Sequence, residues 1–401
     1  MSPMTPGMVI VGGGLAAVRT AEQLRRQDYT GPLTILCAEA HLPYDRPPLS
    51  KDLLRGEIDH TTLKPADFYA QHHITVRLGS RVTGVDTQAH TVALADGSVV
   101  GYDQLIVATG LVPRRIPSFG DLDGIGVLRS YDDALELRRR AATARHAVVV
   151  GAGFIGCEVA ASLRRLGVDV LLAEPQPAPL ASVLGERAGE WVARLHRAEG
   201  VDVRTGVTVA EVRGDGRVES VVLSDGSEIE ADLVVVGVGS QPATEWLAGS
   251  GIEIADGVVC DESGRTSAAD VWAIGDVASW WDRSSRQVRV EHWSNVAEQA
   301  RIMVAALLDV DAADRASVPY FWSDQYDVKI QFLGQPQSAV HVVEDTERRF
   351  LAYYERDGVV VGVVGAGAAD KIRQARTQIA TGAPVSEVLP QPTQPADRVP
   401  A

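Results

Sequence analysis

The chain has 401 residues, which is enough for two or three domains. Hydrophobic residues make up 45% of it and charged residues 23%, so it can bury sizeable cores and is not a disordered polymer. The 53 acidic residues outnumber the 38 basic ones and give a formal net charge of −15, which argues against nucleic acid as a partner. These values predict an acidic, soluble, globular protein of several domains.

Cysteine content and hydropathy narrow the class further. Only Cys37, Cys157 and Cys260 are present, with no Cys-x-x-Cys pair and no histidine cluster at metal spacing, so we expect no metal site and no redox-active disulfide. Three scattered thiols are typical of a reducing compartment. The longest near-apolar stretch, residues 358–369, has 12 residues, which is short of the ~20 that a membrane helix needs. Because the N-terminus also has no signal-peptide pattern, the sequence predicts a cytoplasmic protein without a membrane span.

The chain opens with a strand-like run and a glycine turn, VIVGGGLAA at residues 9–17, and the pattern recurs as VVVGAGFIG at residues 148–156. Each copy is followed by apolar residues at helical spacing and by a second strand-like run, at residues 33–37 and 170–172. The predicted apolar helix faces are Ala17, Val18, Ala21 and Leu24 in the first copy and Ile155, Val159, Leu163 and Leu166 in the second. Two strand–helix–strand units predict two nucleotide-binding domains with parallel sheets. The alternative is that the glycines serve only close packing.

An acidic residue follows each unit at the spacing that dinucleotide folds use. Glu39 comes 22 residues after Ala17, and Glu174 comes 18 residues after Gly156. A carboxylate about 20 residues on accepts hydrogen bonds from the ribose hydroxyl groups of a dinucleotide. The segment Pro-Gln-Pro-Ala-Pro after Glu174 offers no cation for a 2′-phosphate. The alternative for each acid is a solvated position at the end of its strand.

Turn signals mark the expected domain boundaries. Strand-like runs at residues 106–110 and 233–239 each end in a glycine turn shortly before a proline. Residues 258–276 are again strand-like, and a helix pattern follows over residues 294–308. Alternating patterns after Pro319 predict an antiparallel third unit. The expected units are residues 1–113 with 245–318, residues 114–244, and residues 319–401 with a disordered tail from about residue 390.

Three further segments narrow the interpretation: YDRPPLSK at residues 44–51, VWAIGD at residues 271–276 and FWSDQY at residues 321–326. With the two glycine turns, they strongly resemble the flavoprotein reductases that have two dinucleotide-binding domains. The first and third segments resemble, more narrowly, the ferredoxin reductases that serve cytochrome P450s and Rieske oxygenases. The resemblance covers residues 8 to about 335 in order.

This resemblance implies an α/β fold with two Rossmann-like dinucleotide-binding domains and a smaller α+β C-terminal domain. Residues 1–113 and 245–318 would bind one FAD, and residues 114–244 would bind NADH, with NADPH binding more weakly. The FAD positions carried over from the family are Gly12, Gly14, Leu15, Ala16, Glu39, Arg46, Lys51, Val82, Thr109, Gly110, Arg129, Asp276 and Trp293. The NAD positions are Gly151, Gly153, Phe154, Ile155, Gly156, Glu158, Glu174 and Gly239.

The resemblance also implies a pair between Lys51 and Glu158 beside the flavin ring. A desolvated pair there would adjust hydrogen bonding at flavin N5 and the placement of the nicotinamide. Glu158 follows Gly156 by two residues and is expected on the N-terminal turn of its helix, so helix capping is the alternative role. Trp322 is expected in the wall of the flavin site or of the partner site.

The implied activity is that of an NADH-dependent ferredoxin reductase. Hydride would pass from NADH to flavin N5, and single electrons would then pass to a [2Fe–2S] ferredoxin that supplies a cytochrome P450 or Rieske oxygenase. No side chain is required as an acid, base or nucleophile. Because the chain is acidic, docking of the ferredoxin, itself expected to be acidic, would need a local cationic patch. The candidates for this patch are Arg283, Arg286, Arg289, Arg301 and Lys329, and the alternative is that they are ordinary solvated charges.

Three other functions stay open. A rubredoxin reductase would share nearly every motif and differ in its electron acceptor. An NADH oxidase is disfavoured because the loop over residues 41–51 has no cysteine. An NADH-responsive binding protein like apoptosis-inducing factor is disfavoured by the short chain and the lack of a basic face. The sequence leaves open whether the protein is a monomer or a dimer.

Overall fold

The structure is a computed structural model that describes residues 7–282, 286–311 and 318–389. Arg283 of the predicted docking patch and the predicted disordered tail from about residue 390 lie outside the described residues. The first part of the chain alternates strands and helices. Its elements are β1 (Met8–Val11), α1 (Leu15–Arg26), β2 (Leu33–Leu36), α2 (Asp52–Arg55), α3 (Ala66–Gln71), β3 (Thr75–Arg77), β4 (Val82–Asp86), β5 (Thr91–Leu94), β6 (Val99–Gly101), β7 (Gln104–Val107) and β8 (Leu111–Pro113).

The middle of the chain repeats this alternation and then returns towards the first part. The elements of the repeat are β9 (Ile125–Gly126), α4 (Tyr131–Ala141), β10 (His146–Val150), α5 (Phe154–Arg165), β11 (Asp169–Glu174), α6 (Ala181–Leu184), α7 (Glu186–Ala198), β12 (Asp202–Thr205), β13 (Val209–Arg213), β14 (Ser220–Leu223), β15 (Glu228–Glu230), β16 (Leu233–Val236) and β17 (Ser240–Pro242). The returning segment contains β18 (Ile254–Ala255), β19 (Gly257–Cys260), β20 (Val271–Ala273), β21 (Ala278–Trp281), β22 (Gln287–Arg289) and α8 (Trp293–Leu307).

The last described part is mainly antiparallel. It consists of β23 (Tyr320–Gln325), β24 (Val328–Gly334), β25 (Ala339–Asp345), β26 (Phe350–Arg356), β27 (Val359–Ala366), α9 (Ala369–Thr381) and α10 (Val385–Val388). Short 3₁₀ turns lie at Pro47–Ser50, Pro117–Phe119, Glu245–Leu247 and Gly275–Val277.

Two parallel sheets form the nucleotide-binding halves that the glycine repeats predict. The first sheet has the order β20-β7-β1-β2-β3, and the second has the order β12-β11-β10-β16-β9. Strands β1 and β16 are buried along their whole length, as expected for parallel strands covered on both faces. The predicted strand-like segment 258–276 is in fact two strands, β19 and β20, that belong to different sheets. Because β20 pairs with β7, the returning segment completes the first sheet.

The helices pack their apolar faces on these sheets, with one departure from the predicted pattern. In α1 the predicted face is fully buried, and the burial of a leucine such as Leu24 contributes about 2 kcal/mol. In α5 the face prediction holds for Val159 and Leu163 but is wrong for Ile155 and Leu166, which are 43% and 40% exposed. Ile155 lies in the first turn of α5 and lines an open cavity, and Leu166 is the C-cap residue.

The C-terminal unit is the antiparallel sheet that the alternation after Pro319 predicts, with the order β23-β24-β27-β26-β25 and α9 packed against it. It shares a hydrophobic core with α5 and α7 of the second unit, in which Trp191 stacks on Phe350 with ring centroids 4.5 Å apart. The hydroxyl of Tyr354 donates to the carbonyl of Leu184 at 2.6 Å. This packing holds the start of β23 over the N-terminal end of α5.

The near-apolar stretch over residues 358–369 contains all of β27, the turn after it and the first residue of α9. This strand pairs with β24 and β26 in the interior of the C-terminal sheet, which explains its hydropathy. Among the described residues, no helix combines the length and the apolar character that crossing a membrane requires.

Candidate functional site

A cavity of about 900 Å³ lies where the first sheet, the start of α5 and the start of β23 meet. All thirteen residues that the sequence predicts as FAD contacts line this cavity, and so does Trp322. Of the predicted NAD residues, only Phe154, Ile155 and Glu158 line it. The structure therefore gathers residues from many separate stretches of the chain around one space.

The first glycine turn combines a tight approach with an open position. Gly12 has φ of +130°, and a Cβ atom on it would lie 2.2 Å from the carbonyl oxygen of Ala108, so only glycine fits. Gly14 is the N-cap of α1, lines the cavity and would place a Cβ where no atom lies within 4 Å. No side chain caps α1 and no acid lies in its first turn, so its N–H groups remain available to an anionic group.

The carboxylate of Glu39 is positioned at the cavity wall by two neighbours. The hydroxyl of Tyr44 donates to its Oε2 at 2.6 Å, and Nη2 of Arg46 lies 3.4 Å from its Oε1. The same Tyr44 hydroxyl accepts the N–H of Tyr131 at 2.9 Å, which ties this loop to the start of α4. Glu39 thus has a fixed orientation at the end of β2, where a ribose would be recognised.

Two guanidinium groups face the cavity close together. Arg46 donates to the carbonyl of Arg129, and Arg129 lies 3.6 Å from Oδ2 of Asp276. Burial, together with the charge of Arg46, lowers the pKa of Arg129 to about 10. The two guanidinium groups, each near one carboxylate, offer donors to a pyrophosphate, and the cavity volume fits a ligand of dinucleotide size. The residues present therefore fit FAD.

Trp293 and Trp322 line the cavity near the C-terminal unit. Nε1 of Trp293 donates to Oδ1 of Asp45 at 2.9 Å, and burial raises the pKa of Asp45. The two indole rings meet edge to face with centroids 6.0 Å apart. Tyr320 stacks on Trp322 at 5.9 Å and continues this aromatic cluster away from the cavity.

The predicted pair of Lys51 and Glu158 is present in the structure. Nζ of Lys51 lies 2.6 Å from Oε2 of Glu158, and the side chains are 9% and 4% exposed. Glu158 is the fifth residue of α5, and no acid lies in the first turn of that helix. The prediction that Glu158 lies on the N-terminal turn was therefore wrong, because the helix begins at Phe154, and the alternative role of helix capping does not apply.

The second glycine turn lies apart from the cavity lining. A Cβ atom on Gly156 would lie 2.0 Å from the carbonyl oxygen of Gly151, so the glycine allows close packing of α5 on the turn. Gly153, like Gly14, would place a Cβ in open space at the uncapped start of its helix. Gly239, with φ of +91°, follows β16. These glycines do not line the cavity, although the uncapped start of α5 that follows Gly153 reaches its wall.

Glu174 is the last residue of β11 and is only 8% exposed. Its carboxylate accepts the N–H of Ala152 at 2.6 Å and that of Gln176 at 2.9 Å. It therefore fixes the second glycine turn itself, a role that the sequence reasoning missed. Each carboxylate oxygen keeps acceptor capacity for a ribose hydroxyl.

The three cysteine thiols are buried and unpaired. Burial raises the pKa of Cys37 to about 12 and that of Cys260 to about 12, and it also raises the pKa of Cys157. Although Cys37 lies in the cavity wall, it stays protonated and is not a nucleophile near neutral pH. Within the described residues, no group of three or more histidine, cysteine or carboxylate side chains could hold a metal ion.

Sequence reasoning missed several polar residues of the site. Ser50 and Ser323 both donate to Glu158, at 2.5 Å and 2.7 Å. Both serines lie in segments that carry the family resemblance, at residues 44–51 and 321–326, but neither of them was assigned a role from the sequence. His196, which connects to Ser323 through Gln325, belongs to no motif and could not have been found from the sequence.

Comparisons with known proteins agree with this geometry. The profile of the family described as pyridine nucleotide-disulphide oxidoreductase matches residues 6–300, and a profile described as reductase C-terminal matches residues 320–394. A ferredoxin–NAD(P)(+) reductase of Sphingomonas sp is 37% identical over 367 residues, covering 89% of this chain and 88% of the relative. A rubredoxin–NAD(+) reductase of Pseudomonas putida is 35% identical over 356 residues, covering 86% and 92%.

Among solved structures, a chain of the covalent putidaredoxin reductase–putidaredoxin complex matches with a TM-score of 0.90 and 31% identity, covering 95% of this chain and 94% of that chain. The fold and the two glycine turns define a flavoprotein with two dinucleotide-binding domains. The chain belongs to the pyridine nucleotide-disulphide oxidoreductase family. It is an oxidoreductase whose cofactors are FAD and NAD(P)H.

Proposed function

We propose that the protein is an NADH-dependent ferredoxin reductase that supplies electrons to an oxygenase system through a [2Fe–2S] ferredoxin. The observation that carries this proposal is the single cavity that joins the predicted FAD positions to Lys51, Glu158 and the C-terminal Trp322, with no ionised thiol in its wall. A site without a reactive cysteine cannot form the covalent thiol intermediate through which a flavoprotein reduces a disulfide or a peroxide. The names of the matched relatives, a ferredoxin reductase and a rubredoxin reductase, support a small electron-carrier protein as acceptor.

The bound FAD would accept a hydride from NADH and release the electrons singly, which is chemistry that the cofactor itself supplies. The protein's part is binding and orientation. Gly14 and the start of α1 would bind the pyrophosphate, with Arg46 and Arg129 balancing its charge. Phe154 and Ile155 would form the wall against which the nicotinamide lies. Lys51 and Glu158 would place their polar groups beside the nicotinamide and the flavin, where the two rings meet.

The domain assignment belongs to the same proposal. Residues 1–113 and 245–318 would bind FAD, residues 114–244 would bind NADH, and residues 319–401 would complete the acceptor side. The two connections between the nucleotide domains pair with each other as β8 and β17, which supports boundaries near residues 113 and 244. A cytoplasmic location is also part of the proposal.

Each described cation of the proposed docking patch lies close to an acidic side chain. Arg286 pairs with Asp282 at 2.9 Å, Arg289 lies 3.1 Å from Asp256, and Arg301 lies 2.6 Å from Glu298. Lys329 pairs with Asp324 at 3.3 Å but remains 54% exposed, and its Nζ lies 5.8 Å from the centroid of the Trp322 ring. We therefore propose Lys329 as the main cation of the patch, because it lies beside a residue of the cavity wall.

An acceptor screen tests the proposed function. The purified holoprotein is mixed with NADH and with a [2Fe–2S] ferredoxin, a rubredoxin, a disulfide or oxygen alone, and reduction is followed optically. Fast reduction of a ferredoxin supports the proposal. Fast reduction of rubredoxin alone would assign the rubredoxin reductase alternative, and rapid oxygen consumption would assign an oxidase. Slow turnover with a stable complex with NAD⁺ would assign a binding protein.

A further inference from the structure

A chain of buried polar side chains connects Glu158 to the interface between α7 and the C-terminal sheet. Ser323 Oγ lies 2.7 Å from Glu158 Oε1, and Gln325 Nε2 lies 3.1 Å from Ser323 Oγ. Gln325 Oε1 then lies 3.1 Å from His196 Nε2, and the hydroxyl of Tyr326 lies 2.9 Å from His196 Nδ1. We refer to Ser323, Gln325, His196 and Tyr326 as the polar chain.

The donors and acceptors of the polar chain have one consistent assignment. His196 is fully buried, and burial lowers its pKa to about 4, so the ring is neutral near pH 7 and has one N–H. If Nε2 carries that hydrogen, it donates to Gln325, whose amide donates to Ser323, whose hydroxyl donates to the carboxylate of Glu158. The Tyr326 hydroxyl donates to the remaining ring nitrogen. In this assignment each residue of the polar chain donates to the next one in the direction of Glu158, and Ser323 donates to the carboxylate itself.

The polar chain supplies the hydrogen bond to one carboxylate oxygen of Glu158, and residues of the first domain bind the other oxygen. Oε2 of Glu158 accepts from Lys51 at 2.6 Å and from Ser50 at 2.5 Å. Ser323 supplies the hydrogen bond to Oε1. With bonds on both oxygens the carboxylate plane cannot rotate, and Lys51 Nζ is fixed between Glu158 and the carbonyl of Pro47, 2.9 Å away.

The polar chain is not needed to attach the C-terminal sheet to the second domain. Apolar contacts such as Trp191 on Phe350 already join them through a shared core. Well-packed hydrophobic residues of similar volume would stabilise such an interface at least as well as buried polar groups. Ser323, Gln325 and His196 are each fully buried, and their hydrogen bonds lead to the carboxylate of Glu158, which favours a role at that carboxylate.

We infer that Ser323, Gln325 and His196 are positioning residues that hold the Lys51–Glu158 pair at the place where nicotinamide and flavin meet. The C-terminal unit would thereby complete the site of hydride transfer, in addition to contributing to an acceptor surface. The inference depends on one step of the proposed function, the reduction of bound FAD by NADH, and does not depend on the identity of the electron acceptor. It assigns no acid–base role to any member of the polar chain.

Two variants test the inference. Ser323→Ala removes the hydroxyl, whereas Ser323→Thr keeps it. Ser279→Ala is the matched control, because Ser279 is also buried but lies in β21, outside the polar chain. We expect Ser323→Ala to fold and to retain FAD, with a lower melting temperature because buried partners of the hydroxyl lose a hydrogen bond. It should slow stopped-flow reduction of the flavin by NADH about 10-fold and raise the dissociation constant for NAD⁺ about fivefold, measured from the flavin absorbance spectrum. Ser323→Thr should recover most of both losses, and Ser279→Ala should behave like the wild type.

His196→Gln changes a residue that is three hydrogen bonds away from Glu158, and it should show the same two losses at smaller size. If Ser323→Ala and His196→Gln both leave the reduction rate and the NAD⁺ dissociation constant within twofold of the wild type, the inference is overturned. If the alanine variant does not fold, His196→Gln and Ser323→Thr decide it by the same two measurements. A wild type that is reduced by NADH at normal speed but passes no electrons to any ferredoxin would overturn the proposed acceptor and leave this inference standing.

Discussion

Nζ of Lys51 lies 2.6 Å from Oε2 of Glu158, although 107 positions separate the two residues in the chain. Lys51 follows the 3₁₀ turn of the first domain, and Glu158 lies on α5 of the second. Both side chains are less than a tenth exposed, so each charge depends on the other and on nearby hydrogen bonds. The pair therefore forms only when both domains are folded and packed together.

Lys51→Met should destabilise the protein by about 4 kcal/mol, because it leaves the carboxylate of Glu158 buried without its cation. The double variant Lys51→Met with Glu158→Gln should recover most of that loss, since no unpaired charge remains. Both variants should reduce flavin slowly with NADH. Urea unfolding and stopped-flow absorbance measure the two effects.

Arg139→Met is the control for this prediction. Arg139 pairs with Glu136 at 2.7 Å on an exposed helix surface, where such pairs contribute little. Its stability and its reduction rate should match the wild type. A Lys51→Met variant as stable as this control would show that pairing with Lys51 is not needed to keep Glu158 buried in the folded protein.

Gly14→Ala and Gly153→Ala should separate the two nucleotide sites. A Cβ at either position meets no atom within 4 Å, so both variants should fold. At Gly14 the methyl group would project towards the pyrophosphate of FAD, and FAD affinity should fall about 10-fold or more. At Gly153 it would weaken NAD⁺ binding while the protein stays yellow. Flavin content after gel filtration and NAD⁺ titration measure these effects, and a colourless Gly153→Ala protein would contradict the assignment.

The glycine turns show what the sequence can predict. Gly12 and Gly14 lie in a short pattern whose strand, turn and helix are all local, so residue order alone places them correctly. The burial of Val159 and Leu163 follows from the same periodicity, but that of Ile155 does not, because a cavity opens against the start of α5. Whether a helix face meets protein or open space depends on distant parts of the chain.

The contacts of Glu158 show the opposite limit. Its bond to Ser323 spans 165 positions, and His196 meets Gln325 across 129. Contacts between such distant positions produce no periodic pattern in the sequence. A single histidine in helix α7 likewise does not indicate which residues it contacts. The position of Glu158 in its helix was also mispredicted, because α5 begins at Phe154 and its first turn ends before Glu158.

NADH should be preferred over NADPH by about 100-fold in kcat/KM, which corresponds to about 3 kcal/mol. The carboxylate of Glu174 would repel a 2′-phosphate, and the segment after it contains no cation to compensate. Glu174→Gln keeps the shape that accepts the N–H of Ala152 but removes the charge, and should narrow the preference. Steady-state kinetics with ferricyanide measure the ratio, and an unchanged ratio in this variant would show that Glu174 does not face the ribose.

Stability should fall with decreasing pH in a way that depends on His196. Burial holds the pKa of this imidazole at about 4 in the folded protein, against about 6.5 when unfolded. Between these values the unfolded chain takes up the proton first, so the contribution is complete above about pH 6.5 and is lost as the pH falls towards 4. The expected loss from this residue is about 3 kcal/mol.

The comparison of wild type with His196→Gln isolates that contribution. The variant should be less stable at pH 7.5, and the difference should shrink or reverse by pH 5, as measured by urea unfolding with circular dichroism. His60→Gln on the exposed surface serves as the control and should leave the wild-type curve unchanged. A constant difference between wild type and His196→Gln across this range would contradict the neutral, buried state of the ring.

Lys329→Glu should raise KM for the ferredoxin about fivefold and leave NADH-to-ferricyanide turnover unchanged. With a net charge of −15, the protein as a whole repels an acidic partner, so docking must depend on local cations. Lys329 pairs with Asp324 but is 54% exposed beside Trp322. Arg289 and Arg301 are also paired with acidic neighbours and are only 12% and 22% exposed, so reversal of these two arginines should have smaller effects.

Lys371→Glu makes the same charge change on exposed helix α9, outside the cavity lining, and is the matched control for Lys329→Glu. Cytochrome c reduction through added ferredoxin measures both variants across a range of salt concentrations. A steering effect is screened by salt, so the difference between wild type and Lys329→Glu should disappear at high ionic strength. If the two lysine variants instead raise KM equally, the effect comes from net charge alone, and the docking site does not lie beside Trp322.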